Sequence, residues 1–276
     1  MNRYLKLVNF ELGRFIKVYL VLIAITIIVQ VTGIIVKAND YLAQADKAIY
    51  EDLMPQSQFI EQYGQMSFLS FARSLWFMGP IALCAAALAF YIFLIWYRDW
   101  FGKNTFIYRL LMLPTARINV FFAKATSIFL MVLGLVSVQL ILLPLESTIL
   151  KWMVPKDFRA DLAISEMLNF EYLAILVPQS FIEFILYYGA GFMVVSVLFT
   201  AILFERSYKW KGILMGIGYT LLSLVVFALP VLLMIVFNQN YLYPLEILAM
   251  ETFLGIVVLA ASIWMSNFLL KKKVTV

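Results

Sequence analysis

Gly102, Lys103, Asn104 and Thr105 spell the tail of a phosphate-binding loop, the closest approach of this chain to nucleotide chemistry. A working loop needs an earlier glycine in the pattern Gly-x-x-x-x-Gly-Lys and a strand leading into it, so that backbone N–H groups can cradle phosphate. Tyr97 stands where that glycine is required, and no strand pattern precedes it. The 276 residues include no histidine, and the one cysteine, Cys84, lies in an apolar run. Zinc sites, disulfides and Ser/His or Cys/His nucleophile pairs are thereby excluded. The chain is read as a non-enzyme with no catalytic residue, metal or cofactor of its own.

Two carboxylates, Glu183 and Glu251, fall near the ends of long apolar runs, where a charge at membrane depth is costly. They can line the outer part of a path for cationic cargo, or sit at an interface and reach water. Exchanging each for Gln and measuring transport separates the two readings.

These residues are set in a chain that is 64% hydrophobic and 13% charged, too little polar surface to coat a soluble globule of this length. A bilayer core about 30 Å thick needs roughly 20 apolar residues per helix. Six windows qualify, at about 18–36, 75–96, 126–145, 179–204, 213–237 and 253–270. Pro178 predicts a break or re-entrant turn before the fourth. The first run is too long for a signal-peptide core and no small-residue cleavage site follows, so it is read as a retained span.

Lys and Arg divide unequally between the connections. Arg3, Lys6, Arg14, Lys17, Arg98, Lys103, Arg109, Arg117, Lys124, Arg206, Lys209, Lys211, Lys271, Lys272 and Lys273 fall on one side, fifteen in all. Only Lys37, Lys47, Arg73, Lys151, Lys156 and Arg159 fall on the other, together with most acidic residues, including Glu146. The positive-inside rule then places both termini in the cytosol. The net charge of +5 is explained by this distribution, and no nucleic-acid partner is expected.

Residues 1–17 alternate apolar and basic positions at helical spacing, which predicts an interfacial amphipathic helix before the first span, with a cytosolic extension of the first helix as the other reading. Between the second and third spans, Asn104 or Thr105 can cap a short helix carrying Phe106, Ile107, Tyr108, Arg109, Leu110, Leu111 and Leu113, and Pro114 stops it. Thr115 can cap the next helix, past Arg117, with Lys124 snorkelling back to the interface. Ala82, Ala85, Ala86 and Ala89, then Gly189-Ala190-Gly191, then Gly212 and Gly216 supply small-residue packing stripes. Internal packing is their expected use, with a dimer seam along the second span as the other.

This order of elements resembles the permeases of ABC type-2 exporters. The residues that carry the resemblance are the basic helix Phe106 to Leu113, the pair Leu113-Pro114, the run Thr115-Ala116-Arg117, and Lys124. It implies an all-α polytopic fold of six transmembrane helices over residues 1–276, as one permease domain with a bundle at 18–270 and a basic cytosolic tail at 271–276. It also implies that the loop helix is a coupling helix docking on a separate ABC ATPase subunit, which binds ATP and Mg, with Arg109 and Arg117 as polar contacts. Short re-entrant helices are implied between residues 238 and 250. Family members often carry acidic residues and Arg-Gly where this loop begins; here the residues are Arg98-Asp99-Trp100-Phe101-Gly102.

The function expected is the transmembrane subunit of an ATP-driven exporter in a bacterial cytoplasmic membrane, paired with a second permease copy or a paralogue. Its cargo is hydrophobic or amphipathic, with antimicrobial or toxin-like peptides preferred over lipids and drugs. The alternative is a non-transporting membrane sensor, immunity or scaffold protein.

Overall fold

The computed structural model describes residues 3–101, 106–112, 114–237 and 243–273. The helix begins α1 at Arg3–Asp46 and continues unbroken for 44 residues. No separate interfacial helix precedes the first span, contrary to the expectation for residues 1–17. Gly13 is the weakest helix former near the junction, and one glycine costs only about 1 kcal/mol, too little to end a helix with good formers on both sides. A short π-helical turn, Lys47–Glu51, follows it.

Three short helices come next and then the second long one: α2, Gln56–Tyr63; α3, Phe68–Ala72; and α4, Leu75–Trp100. The loop helix is α5, Phe106–Leu111. The third long helix, α6, runs Ile118–Met153 and carries Pro144 inside it. Two more short helices, α7 at Ile164–Leu168 and α8 at Glu171–Leu176, lead to α9, Phe181–Tyr208. The chain ends in α10, Trp210–Phe237, and α11, Pro244–Lys272. Among the described residues, six helices are long and apolar enough to cross a membrane, and the chain is a multi-pass membrane protein.

Helix ends follow local chemistry. The break at Pro178 appears as expected, between α8 and α9, where Ser180 Oγ accepts from the Glu183 amide at 3.2 Å and caps α9. α11 starts directly at Pro244, with the Glu246 carboxylate accepting from Tyr243 N at 2.9 Å. Its continuity from there replaces the re-entrant helix expected up to residue 250; the rest of that segment, 238–242, lies outside the described residues. The turn between α9 and α10 is a single residue, Lys209, held at φ 55°.

The chain divides into two compact units, and α1, α4 and α6 each contribute to both. One unit comprises Met1–Arg14, Leu88–Leu130 and Ser180–Val276. Within it α9, α10 and α11 pack mutually. A Cβ on Gly212 would meet Phe204 O at 2.1 Å, and one on Gly216 would meet Ala201 O at 2.9 Å, so this stripe serves close packing of α10 on α9. Gly189 and Gly191 face no such neighbour.

The other unit comprises Phe15–Ala87 and Met131–Gln179. Its core gathers Ile34, Phe68, Phe71, Phe77, Leu143, Leu150 and Phe170. A two-residue parallel ladder, Met66 with Arg159 and Ser67 with Ala160, joins its two connecting segments. Deeper along the helices, Gln30 Nε2 donates to Phe77 O and to Gln139 Oε1, each at 3.1 Å.

Glu146 belongs to this unit and lies inside α6, not in the loop the sequence pattern assigned to it. It is fully buried, and neither carboxylate oxygen has a partner among the described residues. An unsatisfied polar group of this kind costs about 1–3 kcal/mol. Glu146→Met, which keeps the length and drops the carboxyl, is therefore expected to raise the thermal midpoint by a few degrees. Scanning calorimetry of the purified protein checks it, and a lowered midpoint would show that the carboxyl is held by something bound there.

Candidate functional site

The segment between α4 and α6 is fastened at both ends by one cluster of buried charge in the first unit. Lys124, on the first turns of α6, is fully enclosed. Its Nζ has three donors and uses all of them: Glu11 Oε1 at 2.8 Å, Asp99 Oδ2 at 2.5 Å and Ile95 O at 2.8 Å. It does not snorkel. The interface expected for it is replaced by two carboxylates, which give an ammonium better partners than the bilayer surface could.

Both carboxylates are equally well matched. Asp99 is fully buried, and its Oδ1 accepts from Arg14 at 2.6 Å. Glu11 is also buried, and its Oε2 accepts from Arg98 at 3.1 Å. The cluster thus carries two acids and three bases on three helices: Glu11 and Arg14 from α1, Arg98 and Asp99 from α4, and Lys124 from α6. Trp96 closes it from one side, its ring 5.2 Å from Lys124 Nζ.

On this base sits α5. Phe106 stacks on Phe10 at 5.6 Å, and the Arg14 guanidinium lies within 5.3 Å of both rings. Leu110 packs with Leu7, Val8, Val120 and Ala123, and Ile107 and Leu111 are buried as well. Tyr108 is half-buried and meets Trp100 edge-on at 6.3 Å. Arg3 donates to Pro114 O at 2.6 Å, and Arg117 donates to Leu270 O at 2.8 Å, tying the segment to the end of α11. No protein-family model, curated protein or solved structure matches the chain. The site is therefore read from its own geometry.

That geometry reassigns the face of the loop helix. Ile107, Leu110 and Leu111 are core and unavailable to a partner, and Arg117 is engaged with α11. Arg109, Met112 and Pro114 are exposed, with Met112 71% accessible, and Phe101 lies open at the end of the preceding segment. Leu113 and the expected caps Asn104 and Thr105 lie outside the described residues. The helix does end before Pro114, at Leu111.

Glu183 and Glu251 are both half-buried in this unit, the former in the first turn of α9. Among the described residues the buried acids are instead Glu11, Asp99 and Glu146. Charge parity carried a signal for two of them. Against fifteen basic residues, the same connections hold only Glu11, Asp99 and Glu205, and each finds a cation or a phenol: Glu205 takes the Tyr97 hydroxyl and lies 3.8 Å from Arg206. Ala82, Ala85, Ala86 and Ala89 are exposed along α4.

Proposed function

We propose that this chain is the membrane-spanning subunit of an ATP-driven exporter of the ABC type-2 kind, working beside a second permease and driven by a separate ATPase subunit that binds ATP and Mg. One observation carries the reading: α5 packs through Phe106, Tyr108 and Leu110 on α1, α4 and α6, which the buried charge cluster ties together, while Arg109 and Met112 beside it are exposed. A push delivered to that exposed face passes through these packed side chains to three long helices together. A loop that served only to fix topology would need no such anchorage.

The absence of a phosphate-binding loop in the chain fits a motor supplied in trans, and the excess of Lys and Arg on the connection that bears α5 fits a cytosolic position for it. The apolar helices favour a hydrophobic or amphipathic cargo, with peptide preferred and Glu183 and Glu251 as contacts for its cationic groups. A bacterial cytoplasmic membrane is the setting this implies. Affinity purification from the native membrane, followed by an ATPase assay with candidate peptides, tests the proposal. Retention of a Walker-motif ATPase stimulated by peptide is the expected result; solubilised protein that never carries an ATPase overturns it.

A further inference from the structure

An open groove of about 300 Å³ runs along the first unit between α4, α9 and α10. Phe93, Leu198, Ala201, Ile202, Ile217 and Leu221 line it, and Tyr97 with Glu205 closes one end. Its floor exists because Gly216 lets α10 approach the Ala201 backbone. The lining residues from 213 to 221 cover about 12 Å at 1.5 Å per residue, close to the half-thickness of a hydrocarbon core. The walls are accessible, with Ile217 53% exposed. Such a slot fits one alkyl chain lying along the helices.

The closed end leads to the one-residue turn. Lys209 is held there in the left-handed region, φ 55° and ψ −128°, a conformation costly for a side chain other than glycine. Gly212, pressed on Phe204 O, keeps the turn tight. Lys209, Trp210 and Lys211 are all exposed, and among the described residues neither lysine pairs with a carboxylate. Glu205 adds no free negative charge. Its carboxylate takes the Tyr97 hydroxyl and faces Arg206, whose guanidinium lies 4.7 Å from the Tyr97 ring centre. The local sum of these four charges is two cations in excess, flanking a tryptophan of the kind that sits at headgroup level.

We propose that this groove holds one acyl chain of an anionic phospholipid, with the headgroup phosphate bound between Lys209 and Lys211. A zwitterionic lipid brings its own cation and gains less from the two lysines. At roughly fivefold per lysine, the preference for phosphatidylglycerol over phosphatidylcholine of equal chain length is about 25-fold.

Native mass spectrometry of the full chain, loaded from mixed micelles of these two lipids, tests the site. The wild type is expected to keep one phosphatidylglycerol. Lys209→Gly with Lys211→Gln removes both charges while suiting the backbone to its turn, and is expected to erase the preference with lipid still bound. Ile217→Trp, at an exposed wall, fills the groove and is expected to lose the lipid of either kind. Equal retention of the two lipids by the wild type, or a preference unchanged in both variants, overturns the proposal. So does an Ile217→Trp protein that changes its oligomeric state and not its lipid content, which would assign the groove to a second copy of the chain.

Discussion

Replacing Lys124 by Met is expected to cost about 3–5 kcal/mol, the penalty for leaving buried carboxylates without their cation. Lys124 hydrogen-bonds both acids, so its removal affects Glu11 and Asp99 together, whereas Arg14 bonds Asp99 and lies 3.9 Å from Glu11. Arg14 and Arg98 stay behind, each bonded to one oxygen, and each is partly open to solvent. Lys124→Arg is not a remedy, because a planar fork cannot aim at three acceptors arranged around a single nitrogen. The triple exchange of Lys124 to Met, Glu11 to Gln and Asp99 to Asn removes the charges as a set and is expected to recover most of the loss, since well-packed neutral groups often replace a buried ion cluster without cost. Thermal unfolding in nanodiscs gives both numbers. The loss should persist in 1 M salt, because enclosed charges are poorly screened; a loss below about 1 kcal/mol would place the cluster among ordinary surface pairs.

The second large effect is expected at the exposed face of α5. Arg109→Glu and Met112→Asp should each weaken ATPase retention about 30-fold, the scale of a 2 kcal/mol interface hot spot. Neither should move the thermal midpoint much, since both side chains lie outside the core. Leu110→Asp should do the reverse in kind, destabilising the chain itself by placing a carboxylate among Leu7, Val8, Val120 and Ala123. Titration of solubilised protein with the purified ATPase, beside a melting curve for each variant, distinguishes a lost contact from a lost fold. Unchanged retention in both Arg109→Glu and Met112→Asp would remove α5 from the interface.

Much of the architecture was legible because apolar runs of twenty residues have few other uses. Five of the six predicted windows lie wholly in long helices and the fourth starts two residues before α9, the break at Pro178 and the stop before Pro114 appear where proline chemistry puts them, and Gly212 with Gly216 packs α10 on α9. For residues 3–17 the sequence left an interfacial helix and an extension of the first span both open, because amphipathic spacing marks a helix without marking where it bends, and the structure shows the extension. The connecting segments of the second unit were illegible for another reason. Helices of five to eight residues show less than two or three turns of periodicity, and the Met66–Arg159 pairing joins positions far apart in the chain.

The site was legible in part. Position and polarity identified α5 and the exposure of Arg109, yet Ile107, Leu110 and Leu111 are buried in the chain itself, because a short amphipathic helix can be read as presenting its apolar side to a partner or to its own protein. The ion cluster escaped for want of sequence proximity: Lys124 lies 113 residues from Glu11 and 25 from Asp99. The scarcity of acids among fifteen bases was the available clue, and it becomes informative only when each acid is asked what balances it.

The order of the charged residues along the chain has a consequence for biogenesis. Glu11 and Arg14 are synthesised first, Arg98 and Asp99 next and Lys124 last, so the two acids have their arginines but wait for the lysine that bonds both. At about 5–20 residues per second, the interval between Asp99 and Lys124 is roughly one to five seconds. During that time α1 and α4 have no lysine to bind them together at this point. A nascent chain interrupted there leaves one oxygen of each carboxylate without its lysine, so this buried joint stays incomplete until α6 arrives.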